Sequence, residues 1–165
     1  MKSPFFLASC SMSFMWKILT WEDLSRDELY ALLRLRAEVF VVEQDCPYQD
    51  LDGKDDTGHH LWAEDNQGIA GYLRILPPGV SYEESSIGRV VTTDRVRRMG
   101  VGKELMRRGI AAAQQMYPDS EIHISAQKYL FDFYTSFGFE QVGEEYLEDG
   151  IPHIGMIRKR DDNKA

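Results

Sequence analysis

The sequence predicts a single α+β domain in which helices flank a mixed, mostly antiparallel, twisted sheet. Its 165 residues are enough to bury a sizeable core without disulfides or metal staples. Short runs of β-branched and aromatic residues alternate with turn residues along the chain, as in an antiparallel sheet. In the second half a long amphipathic helix pattern lies between two such runs, and a helical crossover joins parallel strands. We therefore expect one central parallel pair in an otherwise antiparallel sheet.

The first expected elements are a strand at Trp16 to Trp21 and a helix that begins after Ser25. Ser25 and Glu28 have the spacing of a capping box, in which each side chain accepts a hydrogen bond from an amide that the helix leaves unpaired. The stretch from Gln44 to Gly58 is polar, rich in turn residues and contains five aspartates. Such a composition is typical of a long functional loop rather than a linker.

Two strands, His60 to Glu64 and Ile69 to Leu76, are predicted to pair antiparallel. Asn66-Gln67-Gly68 lies between them and supplies the positive-φ residue that a hairpin turn requires. A third strand covers Ile87 to Thr92. A basic, glycine-containing bend and the long amphipathic helix follow it, and Pro118 ends that helix.

The remaining elements complete the sheet. A strand at Ile122 to Ala126 should run parallel to the third strand, because the long helix joins the two. A short helix is expected from Leu130 to Ser136. Phe139 to Tyr146 and His153 to Arg158 are then predicted to form a closing antiparallel pair around the turn Glu148-Asp149-Gly150.

Residues 15–160 are expected to form the domain, with residues 1–14 as a disordered extension and 161–165 as a charged tail. Cys10 and Cys46 are too few and too far apart for a secreted disulfide framework, which predicts free thiols and a cytoplasmic location. The net charge of −8 argues against a general affinity for nucleic acid. No stretch approaches the roughly 20 apolar residues of a membrane helix, so no membrane partner is expected.

The segment most informative about function lies between the third strand and the long helix. It reads Arg97, Arg98, Met99, Gly100, Val101, Gly102, Lys103. Amides in the first turn of a helix have no internal partner and the helix dipole adds positive charge, so this position suits a phosphate group. Two glycines leave the backbone open to a diphosphate. A Walker loop is excluded by Arg97 and Glu104, and the dinucleotide fingerprint is excluded by Leu105.

Arg97, Gly100 and Gly102 match the R-x-x-G-x-G pyrophosphate signature of the GNAT acyltransferase family, which this sequence resembles. Asp132-Phe133-Tyr134 and Phe137-Gly138-Phe139 follow in the family's order. Three further segments resemble the ElaA-type branch of the family: Leu35 to Gln44, Cys46 to Asp50, and Gly150 to Met156. The resemblance covers about residues 15 to 160, and it implies the GNAT acyl-CoA N-acyltransferase fold with a splayed central parallel pair.

The resemblance also implies a reaction, the direct transfer of an acetyl group from acetyl-CoA to a primary amine in a ternary complex. Val90 and Val91 would lie on the splayed strand, and the Val91 amide would stabilise the oxyanion. Tyr134 would face the thioester sulfur as general acid, because the reference pKa values of about 10 for tyrosine and about 8.5 for a thiol are close. The residues expected to bind acetyl-CoA are Val90, Val91, Arg97, Arg98, Met99, Gly100, Val101, Gly102, Lys103 and Tyr134. The acceptor is a small-molecule or peptide amine, and a homodimer stays open.

Several alternatives remain open. Some relatives carry a glutamate on the third strand where this chain has Arg89, so Glu43, His60 and His153 become the candidates for a general base, acting directly or through water. Tyr134 would otherwise only pack beneath the helix. The domain could also be a regulatory module that binds acetyl-CoA without catalysis.

No metal is expected. A calcium loop starting at Asp50 would need glycine and glutamate where Asp55 and Leu61 stand, and the histidines lack zinc spacing. Nucleic-acid binding through Arg95 to Arg98 is also not expected, because no aromatic platform accompanies the arginines.

Overall fold

A computed structural model describes residues 13–161 of the chain. Residues 1–12 and 162–165 lie outside the described residues, and most of the predicted extension and tail falls there. The first strand begins at Met15. None of the helices in the described range combines the length and the apolarity needed to cross a membrane.

Within residues 13–161, seven strands form one sheet in the order β1-β2-β3-β4-β5-β7-β6. The strands are β1 Met15–Thr20, β2 His59–Asp65, β3 Gly68–Leu76, β4 Ser85–Thr92, β5 Ile122–Gln127, β6 Phe139–Glu148 and β7 Ile151–Arg158. The helices are α1 Arg26–Arg36, α2 Val101–Met116 and α3 Phe131–Thr135. All pairs are antiparallel except β4 with β5, which are parallel. The predicted mixed sheet, with helices on its faces, is confirmed.

The capping box forms at the start of α1. The Ser25 hydroxyl accepts a hydrogen bond from the Glu28 amide at 3.2 Å, and the Glu28 carboxylate accepts one from the Ser25 amide at 3.0 Å. At its other end α1 runs without a break into a π-helical segment, Ala37–Glu43. The α-helical spacing of apolar residues does not describe this segment, because a π-helix pairs each amide with a carbonyl five residues back.

The two faces of the sheet are covered by different helices. Apolar residues of α2 and α3 pack with strand residues in the larger core cluster, whereas α1 packs over a smaller cluster around Trp62 and Tyr72. The helix α2 lies close to β3 because it presents Gly109 there. A Cβ atom at Gly109 would stand 2.7 Å from a methyl carbon of Leu73.

The central parallel pair separates soon after it begins. β4 and β5 pair only at Ser85 with Ile122 and at Ser86 with His123. Further along β4, Arg74 faces Gly88 and Tyr72 faces Val91, so a single residue of β3 opposes two residues of β4. This β-bulge contains Arg89, whose φ is +55°. The predicted splayed strand is therefore confirmed, and its bulge lies in the part that has no β5 partner.

Candidate active site

The predicted phosphate-binding bend forms a concave surface at the start of α2. The N-cap residue Gly100 has φ +83° and provides no side-chain cap, so the first amides of this 16-residue helix stay available to a ligand. A Cβ atom at Gly102 would meet nothing closer than 3.8 Å. A cavity of about 360 Å³ lies here and is lined by Thr92, Val96, Arg97, Arg98, Gly100, Val101, Gly102, Lys103 and Phe133. We call it the bend cavity; Met99 is half-exposed and does not line it.

Arg97 does not stand alone in the bend cavity, because Glu43 binds it. One guanidinium nitrogen lies 2.5 Å from a Glu43 oxygen, and the other donates to the second oxygen at 2.8 Å. The hydrogen bond from Arg97 lowers the pKa of Glu43. Glu43 thus lies beside Arg97 at the glycine bend but lines neither cavity, and its lowered pKa makes it a poor general base.

A larger cavity of about 480 Å³ opens where β4 and β5 separate; we call it the splay cavity. Its walls include Gly88, Arg89 and Val90 of β4 and Ile124 of β5. Val91 does not line this cavity, because its side chain is buried on the α1 side of the sheet and its backbone pairs with Tyr72 of β3. The two cavities are neighbours, because Val90 lines one and Thr92 lines the other.

Tyr134 belongs both to the core and to the splay cavity. It is 7% exposed, its ring meets those of Phe133 and Phe139 edge-on, and it also lines the cavity. Among residues 13–161 its hydroxyl has no hydrogen-bond partner. Burial raises the pKa of Tyr134, so the close match with a thiol that the sequence suggested does not hold in this environment. The phenol is a neutral hydrogen-bond donor at physiological pH.

His153 and His60 have opposite environments. His153 lines the splay cavity, and its Nδ1 donates to the Ile151 carbonyl at 2.8 Å, which leaves Nε2 of the neutral ring as an acceptor. His60 lines neither cavity. Its Nε2 donates to the Asp55 carbonyl at 2.9 Å and its Nδ1 lies 2.8 Å from the Tyr72 hydroxyl. Since burial also lowers the pKa of His60, this histidine is a structural group of the core.

Sequence reasoning missed a closed ring of ion pairs beside the splay cavity. In order around the ring its members are Arg36, Asp50, Arg89, Asp52, Arg74 and Asp55. Every arginine contacts two aspartates and every aspartate contacts two arginines, so the ring carries no net charge. Five of the six contacts measure 2.7 to 2.9 Å, and the contact between Arg89 and Asp52 measures 3.3 Å.

The ring explains two features of the sequence. Three of the five aspartates of the long loop, Asp50, Asp52 and Asp55, bind the arginines of the ring, although Asp50 and Asp52 superficially suggested a calcium loop. Arg89 stands where some relatives have a glutamate, and it serves here to hold the loop against the β4 bulge. Within the described part of the chain, no group of three or more His, Cys, Asp or Glu side chains is placed to hold a metal ion. One signal in the sequence was Arg74, an arginine within the otherwise apolar second half of β3.

The profile of the acetyltransferase (GNAT) domain matches residues 22–160. The chain belongs to the GNAT acetyltransferase family. The ElaA protein of Escherichia coli K12 is 46% identical over 146 residues, which cover 87% of this chain and 95% of ElaA. The crystal structure of Escherichia coli ElaA superposes with a TM-score of 0.84 at 44% identity, over 89% of this chain and 100% of that chain. The chain therefore belongs to the ElaA-type branch.

A second solved structure, an acyl-CoA N-acyltransferase from Pseudomonas aeruginosa, has a TM-score of 0.86 at 46% identity. The match covers 89% of this chain and 100% of that chain. The GNAT fold inferred from the sequence is thus confirmed. In this GNAT domain Gly100, Gly102 and Arg97 lie at one cavity, and Tyr134 and His153 at the adjoining one. Glu43 and His60 lie outside the cavity that contains Tyr134.

Proposed function

We propose that the protein is an acetyl-CoA-dependent N-acetyltransferase that passes the acetyl group directly to a primary amine. The observation that carries this proposal is the adjacency of the two cavities. Phe133 lines the bend cavity and the next residue, Tyr134, lines the splay cavity. A long ligand held by its diphosphate at the bend can therefore extend its thioester into the gap between β4 and β5.

At the bend, the open amides around Gly100 and Gly102 fit a diphosphate, and the dipole of α2 adds positive potential. Arg97 and Lys103 supply two cations. Because Arg97 is paired with Glu43, binding of the diphosphate requires Arg97 to exchange a carboxylate for a phosphate. Both partners are more than one-third exposed, at 36% and 42%, so this exchange costs little.

In the splay cavity, the unpaired part of β4 offers backbone donors next to the thioester. The Val91 carbonyl faces Gly71 of β3, and the amide of the same strand residue faces that side too. The proposed donor to the thioester oxygen, where negative charge develops during attack by the amine, is therefore the amide of Val90, which lines the cavity, and not that of Val91. Holding the thioester and the amine in one cavity of about 480 Å³ supplies proximity. This size lies within the roughly 300 to 1,000 Å³ typical of small-molecule sites.

The proton balance assigns roles to two side chains. The entering ammonium gives one proton to a base before its nitrogen bonds to the carbonyl carbon, and we assign that base to Nε2 of His153, directly or through water. When the carbon–sulfur bond breaks, Tyr134 donates a hydrogen bond to the departing thiolate. The second proton of the amine then passes through the site to the sulfur, so the products are an amide and a thiol. The raised pKa of Tyr134 favours hydrogen bonding over prior ionisation of the phenol.

Two measurements test the proposal. Acetyl-CoA should raise the melting temperature with concentration, because a ligand of the folded state stabilises it. Thiol release should then appear with one or more members of an amine panel. Tyr134→Phe should lower kcat by about 10- to 100-fold without weakening acetyl-CoA binding, and His153→Gln should flatten the pH-rate profile. Tyr117→Phe is the matched control, since Tyr117 lies at the end of α2 and lines neither cavity.

Two outcomes would contradict this assignment. If Tyr134→Phe has the same kcat as Tyr117→Phe, the Tyr134 phenol has no role in catalysis. Binding of acetyl-CoA without thiol release for any class of amine would favour the regulatory module.

A further inference from the structure

The splay cavity contains charged groups that the protein itself leaves uncompensated. Asp52, Arg74 and Arg89 line it, but all three belong to the neutral ring. The other fully charged lining residues are Lys54, Glu148 and Asp149. Among the described residues, none of these three forms an ion pair. The cavity therefore offers one free cation and a pair of adjacent free carboxylates to a ligand.

The position of Lys54 is set by the ring. Its amide donates to a carboxylate oxygen of Asp52 at 3.2 Å, and Asp52 is bound by Arg74 and Arg89. The Lys54 ammonium donates to the Ser81 hydroxyl at 2.9 Å. A hydroxyl satisfies one of the three donors of an ammonium and leaves its charge uncompensated. Lys54 thus presents a positioned positive charge to the cavity.

The position of Glu148 is set by a chain of hydroxyl groups. The Ser125 hydroxyl donates its single proton to Glu148 at 2.8 Å. The Tyr146 hydroxyl lies 2.5 Å from the same Ser125 oxygen, so Tyr146 must be the donor of that second bond. The ring of Tyr146 in turn stacks on His153, with centroids 6.1 Å apart. The carboxylate of Glu148 and the proposed base are therefore held at the same end of the cavity.

Ser81 and Tyr82 lie between Lys54 and the β5 residue that contacts Glu148. Ser81 binds Lys54, and the next residue, Tyr82, stacks on His123 of β5 with ring centroids 3.6 Å apart. His123 and Ser125 lie on the same face of β5, since strand side chains alternate. Lys54 thus contacts Ser81, and the adjacent Tyr82 packs on the face of β5 from which Ser125 binds Glu148. His153, nine-tenths buried, adds an Nε2 atom that no described residue engages.

We propose that the acceptor is a small zwitterion of the amino-acid class, with its carboxylate bound by Lys54 and its ammonium received between Glu148 and His153. The inference rests on the acetyltransferase function proposed above and narrows its substrate. A polyamine would leave Lys54 facing another cation. A lysine on a protein surface would leave it without a partner. A carboxylate satisfies Lys54, and a protonated amine satisfies Glu148 before it reaches the base.

The test compares an amino acid with its own carboxamide, which has the same amine but no carboxylate. The wild-type enzyme should prefer the acid by about 10- to 100-fold in kcat/KM, the range that a hydrogen bond to a charged group supports. In Lys54→Met this acid-to-amide ratio should fall to about one, and Lys54→Arg should restore part of it. Lys159→Met is the matched control, because Lys159 is 74% exposed and lies outside the cavity; its ratio should equal the wild-type ratio.

Glu148→Gln tests the other end. It should raise KM for acid and amide alike, and Ser125→Ala should do so more weakly, because the carboxylate remains but loses its donor. Both variants should keep the wild-type melting shift with acetyl-CoA.

Failure of the substrate proposal and failure of the function have different signatures. If amines are acetylated but the acid-to-amide ratio is near one, or is unchanged in Lys54→Met, the zwitterion proposal is wrong and the function stands. If none of the tested amines causes thiol release, the proposed acetyltransferase function is wrong. In that case the binding site is tested separately, by the shift in melting temperature that the same amino acid and its carboxamide cause in the presence of coenzyme A. Equal shifts for the acid and the amide, or no shift with either, would overturn the proposed zwitterion site.

Discussion

Asp55 binds two buried guanidinium groups at once, and its replacement tests the ring most directly. One carboxylate oxygen lies 2.7 Å from a nitrogen of Arg36 and 2.7 Å from a nitrogen of Arg74. The three residues are 7%, 0% and 3% exposed. Asp55→Ala would leave both arginines buried with one aspartate each and would give the ring a net positive charge.

The expected loss is large relative to the stability of a domain. Removing one partner of a buried ion pair costs about 3 to 5 kcal/mol, since the remaining charge is desolvated and uncompensated. Total unfolding free energies are about 5 to 15 kcal/mol. For a chain of this length the loss corresponds to a fall in melting temperature of about 6 to 20 °C.

The pH dependence should change as well. Burial alone would raise the pKa of Asp55, but Arg36 and Arg74 more than offset burial, and the pKa lies below its ordinary value. A carboxyl group with a lowered pKa in the folded state contributes stability above its unfolded pKa of about 3.9, and this contribution is lost as the pH falls from that value through the lower folded pKa. The wild-type protein should therefore lose stability below about pH 4, and Asp55→Ala should lose less over the same interval.

Urea unfolding followed by the fluorescence of the three tryptophans measures these changes. Asp56→Ala is the matched control, because Asp56 is the next residue, carries the same charge and is exposed. Its unfolding free energy should stay within about 0.5 kcal/mol of the wild type. Equal unfolding free energies for the two variants at pH 7 would refute the argument that the ring stabilises the fold.

Two further predictions concern the bend and the splayed strand. Glu43→Gln should release Arg97 and tighten acetyl-CoA binding by up to about fivefold, which is the range for an exposed ion pair. The pH-rate profile should not change. Weaker binding would show that Glu43 positions Arg97 instead. Gly71→Ala should destabilise the fold by about 1 to 3 kcal/mol, because its Cβ would stand 2.7 Å from a Leu105 methyl carbon and 3.1 Å from the Val91 carbonyl. Gly88→Ala is its control, with no atom within 4 Å of the new Cβ, and calorimetry giving the same loss for both would reject the steric argument.

Features that depend on a few neighbouring residues were predictable. The capping box at Ser25 and the glycine bend at Gly100 each depend on contacts within about four residues, so their sequence patterns carry enough information. The π-helical segment after α1 was not predicted, since no local pattern distinguished it from a continuing α-helix. The neighbourhood of Tyr134 was half predicted. It packs in the core, where its ring meets that of Phe133, and it also lines the splay cavity.

The succession of strands along the chain, the glycine bend and the family could be inferred from the sequence alone, because periodicity, turn residues and a short motif encode them locally. Only the tertiary structure decided which charges meet. Glu43 and Arg97 are 54 positions apart, and Arg89 and Asp52 are 37 positions apart. Which of several histidines remains free also depends on burial and on distant partners, since desolvation and pairing act through space rather than along the chain.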